Sequence, residues 1–259
     1  MKSTSTIFLV LISHIFIFGC KKNANSVALI KGNTFLVDPL DSSFVSPGIH
    51  ELLEKDNSGT IVTFKNDNTS ISAVTDKDGN FSIPVHAISG DIIIEYSHQG
   101  YGIMKQFFKA SEWDSIQNSI KSQPDVPVLV EGLGPISSIF INSLSANIQN
   151  GYLQLHCNAS VTNGQSNYIS LFSSSTNENI SLNNLSSTSF SIHPIAEGDN
   201  LISICLCENM CDEWHSGVTI SLQMFGGVSG SYFDPSKNAL IFPSLNQNPA
   251  LKTVSLVIP

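Results

Sequence analysis

The stretch Ser72-Ala73-Val74-Thr75-Asp76-Lys77-Asp78-Gly79-Asn80-Phe81-Ser82-Ile83-Pro84-Val85 decides the fold. Phe81, Ile83 and Val85 alternate with residues that suit a solvated face, the period of a strand with one side buried. Ahead of them, Asp76-Lys77-Asp78-Gly79-Asn80 places a glycine where a hairpin needs positive φ, between strands ending at Thr75 and starting at Phe81. The same alternation recurs outward from this point, at Val62 and Phe64 on one side and at Ile92, Ile94 and Tyr96 on the other. The alternating carboxylates of Asp76 and Asp78 also resemble the opening of a calcium loop, but the closing Glu at the twelfth position would fall at Ala87, so a plain turn is expected.

Three runs together carry a family resemblance. They are Gly59-Thr60-Ile61-Val62-Thr63-Phe64, then Ser72 to Ile83, then Gly90-Asp91-Ile92-Ile93-Ile94-Glu95-Tyr96 with Gly100-Tyr101. In this order they resemble the carboxypeptidase regulatory-like domain, over residues 27 to 131. The resemblance implies a transthyretin-like (prealbumin-like) sandwich of about seven strands, a module often fused to enzymes, adhesins or outer-membrane transporters. Ile30-Lys31-Gly32 departs from the pattern, being followed by a long excursion through Pro39, Pro47 and Glu51. The family name brings no peptidase with it, because a zinc carboxypeptidase needs an H-x-x-E pair and no His here has Glu three residues later.

Between Lys105 and Lys121 the alternation stops. Trp113, Ile116 and Ile120 follow helical spacing, which predicts one short amphipathic helix near 111–121 with Glu112 in its first turn; Pro124 and Pro127 end it. Val128-Leu129-Val130 reads as a returning strand, and residues 132–136 as a linker. Trp113 and the neighbouring Phe107 and Phe108 read as core or as a lid, with a sugar-stacking platform as the alternative. A second set of strands spans 137–223: Ile139 and Ile141; Leu153 to Val161; Ile169 and Leu171; Phe190 and Ile192; Ile202, Ile204 and Leu206; Val218, Ile220 and Leu222. Asn150-Gly151 and Asn163-Gly164 mark turns. Six or seven short strands over that length predict an antiparallel sandwich, and Glu197-Gly198-Asp199-Asn200-Leu201-Ile202-Ser203-Ile204 resembles a strand of immunoglobulin-like or fibronectin-like bacterial domains. Residues 224–259 read as a strand pair or tail whose last run, Val254 to Ile258, joins a sandwich or makes its own hairpin. The fold class expected is all-β: two tandem antiparallel β-sandwiches and one short helix.

The N-terminus supplies an address. Lys2 precedes an apolar run from Ile7 to Phe18 that ends in Gly19 and Cys20. At about a dozen residues, broken by Ser13 and His14, this run is short for a membrane span. It resembles a bacterial lipoprotein signal peptide covering residues 1–19, although Phe18 is bulkier than the residue such signals carry before glycine. The resemblance implies cleavage, acylation of Cys20 and a lipid-anchored tether over 20–26. Stable anchoring needs more than one acyl chain, and such lipoproteins carry two or three. Lys21, Lys22, Asn23, Ala24 and Asn25 include no acidic residue, which by the same resemblance points to the outer membrane of a Bacteroidota-type cell, with the leaflet undetermined.

Of 259 residues only 13% are charged, and the formal net charge is −9. An acidic chain without a basic cluster lacks the Lys and Arg that supply nucleic-acid affinity, which excludes DNA and RNA as partners. With Cys20 acylated, Cys157, Cys205, Cys207 and Cys211 remain, an even number for an oxidising compartment. Disulfides are therefore expected, and one candidate pairing takes Cys157 across the two sheets to Cys205 or Cys207. Alternation opposes it, since inward Ile202, Ile204 and Leu206 leave Cys205 and Cys207 outward. A metal site from those cysteines with His215, Asp212 or Glu213 is the rival, but its spacing is not that of a zinc knuckle. His50, His86, His98, His156 and His193 stand singly, and no nucleophile elbow, phosphate loop or dinucleotide fingerprint occurs. No catalytic residue, cofactor or metal is expected. The expected function is non-enzymatic: an outer-membrane-tethered structural, adhesive or ligand-binding protein. The alternative is an accessory carbohydrate- or peptide-binding partner of an outer-membrane transporter, with Tyr101, Trp113 and Trp214 as ligand contacts.

Overall fold

A computed structural model describes residues 28–37, 56–67, 69–85, 90–122, 129–161, 168–175, 189–206, 214, 216–227, 230–246 and 253–259. The signal peptide, Cys20, the tether, the excursion through Pro39 to Glu51, Asn163-Gly164, Cys207, Cys211, Asp212, Glu213, His215, His50 and His86 lie outside the described residues.

The protein is all-β, as expected. Its first sandwich faces a three-stranded sheet, β1 (Ala28–Leu36), β4 (Asn80–Val85) and β7 (Leu129–Leu133), against a four-stranded one, β2 (Ile61–Asn66), β3 (Thr69–Val74), β5 (Ile92–Ser97) and β6 (Met104–Phe108). The alternating residues read from the sequence point inward: Val62, Phe64, Phe81, Ile83, Val85, Ile92, Ile94 and Tyr96 are all buried in one core. The sheet orders are β4-β1-β7 and β3-β2-β5-β6.

Two features differ from expectation. The Asp76–Asn80 segment is a tight turn, with Gly79 at φ 80°, but it is not a hairpin. β3 pairs with β2 and β4 pairs with β1, so the turn carries the chain from one sheet to the other. Alternation tells which face a strand buries and not which strand lies beside it. The second difference is that β1 and β7 run parallel, with Gly32 opposite Leu129 and Leu36 opposite Leu133. The long connection through β2–β6 and the helix makes that parallel return possible.

The helix α1 spans Ala110–Ser122. The first bond of the helix runs from the Trp113 N–H to the Lys109 carbonyl at 3.0 Å, and the Glu112 carboxylate reaches back to cap the start, accepting from the Lys109 N–H at 2.7 Å.

The second sandwich pairs β12-β9-β8 with β11-β10-β13-β16, where β8 is Ile139–Gln149, β9 Tyr152–Val161, β10 Tyr168–Ser174, β11 Ser189–Pro194, β12 Gly198–Cys205, β13 Thr219–Gly226 and β16 Thr253–Val257. All neighbouring strands here are antiparallel. Asn150 (φ 53°) and Gly151 (φ 77°) close the β8–β9 hairpin with the two positive φ angles that a tight two-residue turn requires. Leu153, Leu155, Cys157, Ile204, Ile220 and Leu222 meet in its core. The last strand joins this sandwich beside β13, while β14 (Tyr232–Asp234) and β15 (Ala239–Ile241) form a separate small hairpin.

Candidate functional site

Beside the turn that switches sheets, the two sheets of the first sandwich leave a groove of about 530 Å³. Lys31 and Gly32 of β1, Ala73 to Asp76 at the end of β3, and Asn80 to Ser82 of β4 line it. The turn is held from within. The Asp76 Oδ1 accepts from the backbone N–H of Asp78 at 3.0 Å and of Asn80 at 2.8 Å, and Asn33 Nδ2 donates to the Asp78 carbonyl at 2.9 Å. Thr75 ties the turn to its neighbours: its hydroxyl donates to the Asn57 carbonyl at 2.7 Å and accepts from the Thr60 N–H at 3.0 Å. A side chain at Gly79 would meet the Thr34 carbonyl oxygen at 1.9 Å, and one at Gly32 would meet the Phe81 ring at 2.2 Å, so glycine is required at both places.

The groove thus presents an ammonium, a carboxylate, hydroxyls and an amide around an apolar floor at Phe81 and Ala73. Its volume falls in the range of small-ligand sites. Its lining holds no His, Cys or Glu, and the groups it offers are polar and charged contacts for a small ligand. Along its rim runs the outer edge of β3. Thr75 donates its N–H to Thr60 on the β2 side, so by alternation the backbone groups of Ser72 and Val74 face the groove side. Val74 is 63% exposed.

The aromatic residues singled out from sequence do not converge here. Trp113 is 2% exposed, packed against Phe64 and Phe108 with ring centroids 5.4 and 6.1 Å away, so it has no free face for a sugar ring. Tyr101 stands edge-on to His98 at 5.1 Å and bridges to Pro135. Trp214 packs partly against the core of the other sandwich. Lys31, Asn80 and Ser82 were missed because nothing in a strand's alternation reveals that its polar face borders a gap between sheets.

The cysteine expectation is corrected in part. Cys157 is a free, buried thiol, held above its ordinary pKa by burial and, secondarily, by Asp199. Cys205 is disulfide-bonded and has no thiol to titrate. A bridge from Cys157 to Cys205 across the sheets is ruled out by topology. Both lie in one sheet, where Cys157 faces Asn200 and Cys205 faces Tyr152, five positions apart and hence about 17 Å along the strands. Among the described residues no group of three His, Cys, Asp or Glu side chains is placed to hold a metal ion.

Fold and groove define an all-β protein of two β-sandwiches with a polar groove in the first. No family model matches the sequence, and no curated protein matches it. Among solved structures, the chain is similar to a proposed carbohydrate-binding protein from Bacteroides uniformis, at 13% identity over 88% of this chain and 98% of that one, TM-score 0.28. It is similar also to a DUF3823 family protein from Bacteroides ovatus, at 9% identity over 90% and 100%, TM-score 0.29. The chicken CNTN1 FN1–FN3 domains give 7% identity over 88% of this chain and 62% of theirs, TM-score 0.29. Likenesses this remote bear neither on ligand nor on activity.

Proposed function

We propose that this chain is a non-enzymatic cell-envelope lipoprotein, tethered to the outer membrane through acyl chains on Cys20, whose modules over 27–131 and 137–223, with the 224–259 tail, serve as structural or ligand-binding bodies. The observation that carries this reading is the placement of the chain's ends in the first sandwich. β1 begins at Ala28, opposite Val85, and runs toward Leu36, opposite Leu133, where the chain departs for the second sandwich. Eight steps of strand separate the two ends, about 26 Å. A lipid at Cys20 would sit behind the first end and the second sandwich beyond the other, standing away from the membrane. A Cys205 disulfide is consistent with an oxidising envelope compartment, with Cys207 and Cys211 as its candidate partners.

Metabolic labelling with palmitate tests this reading. The chain takes up label, and Cys20→Ala abolishes labelling and releases the protein to the soluble fraction; an unlabelled native chain overturns it.

The groove favours a second reading, an accessory carbohydrate- or peptide-binding partner of an outer-membrane transporter. Its mixed lining of Lys31, Asp76, Asn80 and Ser82 around an apolar floor offers polar contacts to a neutral or zwitterionic ligand. Screening on glycan and peptide arrays tests it, with Ser82→Trp, which fills the groove, expected to remove any signal that the native chain gives.

A further inference from the structure

Two sandwiches joined by a glycine-containing linker are expected to move relative to one another unless something else connects them. Here something does. The described part of the passage between β13 and β16, Gly230–Asn246, reaches both bodies and the linker between them. On the second sandwich, Phe242 lies on Phe172 at 5.1 Å, and Leu245 packs in the same cluster on the outer face of β10 and β13. Asn246 donates its N–H to the Gly226 carbonyl at 2.9 Å and its side-chain amide to the Ile139 carbonyl at 2.7 Å.

On the linker, Ser244 accepts the Ser137 N–H at 2.9 Å, and its hydroxyl donates to the Gly134 carbonyl at 3.0 Å. On the first sandwich, the Tyr232 ring lies 6.2 Å from that of Phe107 and packs against the first core. Gly102 approaches so closely that a Cβ there would stand 2.6 Å from the Pro243 carbonyl carbon and 2.8 Å from the Ser244 nitrogen. Gly102 in turn donates its N–H to Gly134, and Ile136 donates to Gly100, both at 2.9 Å.

We propose that this passage is a strut that locks the two sandwiches into a single body, so that residues 134–138 form a fixed joint and not a hinge. Rotation about the linker would part Tyr232 from Phe107 and break the hydrogen bonds that tie Gly102 and Ser244 to Gly134 and Ile136 to Gly100. Each broken bond exposes a donor and an acceptor that the joint now satisfies. The strut fixes where the second sandwich points, and it does so whichever ligand or membrane the chain serves.

Hydrogen–deuterium exchange on the full chain tests the proposal at the donors Gly102, Ile136, Ser137 and Asn246. In the native chain these amides exchange at least about tenfold more slowly than unstructured chain does. Gly102→Val, which wedges the strut away, and Tyr232→Ala, which removes its ring contact, each accelerate them by about tenfold while the amides of β5 and β9 keep their protection. Should Gly102→Val also expose β5, Tyr232→Ala alone decides. Fast exchange at these donors in the native chain, or unchanged protection in Tyr232→Ala, overturns the proposal.

Discussion

Gln106 and Glu131 meet across the side of the first sandwich where its two sheets end: the Gln106 Nε2 donates to the Glu131 Oε2 at 2.9 Å. Gln106 belongs to β6, the outer strand of the four-stranded sheet, and Glu131 to β7, the outer strand of the other. The Tyr96 hydroxyl donates to the Gln106 Oε1 at 2.9 Å, which fixes the orientation of the amide. Three side chains thus stitch together sheets that share no ladder. Burial raises the Glu131 carboxyl above its ordinary pKa, against the hydrogen bonds from Gln106 and the Gly132 N–H.

The sign of that shift makes a prediction. A carboxyl with a raised folded-state pKa binds its proton more tightly in the native state. Its contribution to stability is full below the unfolded carboxyl's pKa and is lost as pH rises through the folded value. At neutral pH the ionised Glu131 is therefore a modest liability. Glu131→Gln removes the charge and keeps one acceptor oxygen, for Gln106, while the Gly132 N–H loses its acceptor; its urea midpoint therefore compares more favourably with that of the native chain at pH 7.5 than at pH 4. A difference that is the same at both pH values would show that the charge on Glu131 carries no cost.

Trp113 makes a second prediction. Its indole is buried against Phe64 and Phe108, and its Nε1 has no hydrogen-bond partner among the described residues. Trp113→Ala therefore costs about 3–5 kcal/mol, the range for emptying a large aromatic site. Trp113→Phe sacrifices volume but no hydrogen bond, and costs under about 2 kcal/mol. Chemical denaturation of the two variants measures both. Equal losses would mean that the indole N–H matters.

How far the sequence reached is visible at particular residues. Phe81, Ile83 and Val85 announced their strand and its buried face because period two is a local property. The Asn150-Gly151 hairpin was legible for the same reason, its turn chemistry lying within two residues. The partner of that first strand was not legible. The Asp76–Asn80 turn has the composition of a hairpin but serves as a corner between sheets, and only the three-dimensional packing of Gly79 against Thr34 distinguishes the two. The Cys157–Cys205 relation failed similarly, since alternation gave the facing of each cysteine and said nothing of their sharing a sheet. Gly102 gave no sequence signal for its contact with Pro243, far along the chain, and the groove is a gap between elements that leaves no mark on either one.

The turn itself can be interrogated. Gly79→Ala puts a Cβ 1.9 Å from the Thr34 carbonyl oxygen and forces a left-handed backbone that costs about 1–2 kcal/mol for any other L-residue. The total loss therefore exceeds that figure. Asp76→Ala removes the acceptor of two backbone hydrogen bonds, for about 1–3 kcal/mol, whereas Asp76→Asn retains an acceptor oxygen and loses less. Thermal melts of the three variants give this order. Adding calcium leaves the native melting temperature unchanged if the turn is held only by its own hydrogen bonds, and a calcium-dependent rise would reinstate the cation loop.

Cys157 tests the second core. Its thiol is 3% exposed among Leu155, Ile202 and their neighbours, and its raised pKa keeps it protonated at neutral pH, where the thiolate is the reactive form. Iodoacetamide therefore leaves Cys157 unmodified in the native chain over hours and alkylates it in denaturant, as intact and peptide masses report. Cys157→Ser exchanges a weakly polar sulfur for a hydroxyl that must find a partner inside an apolar core, and costs about 1–3 kcal/mol. Cys157→Ala removes only the sulfur volume and costs less than the serine variant. The inverse order, alanine worse than serine, would mean that a hydrogen-bond acceptor or a water reaches that position, and the core of the second sandwich would then be less dry than its lining of Ile and Leu implies.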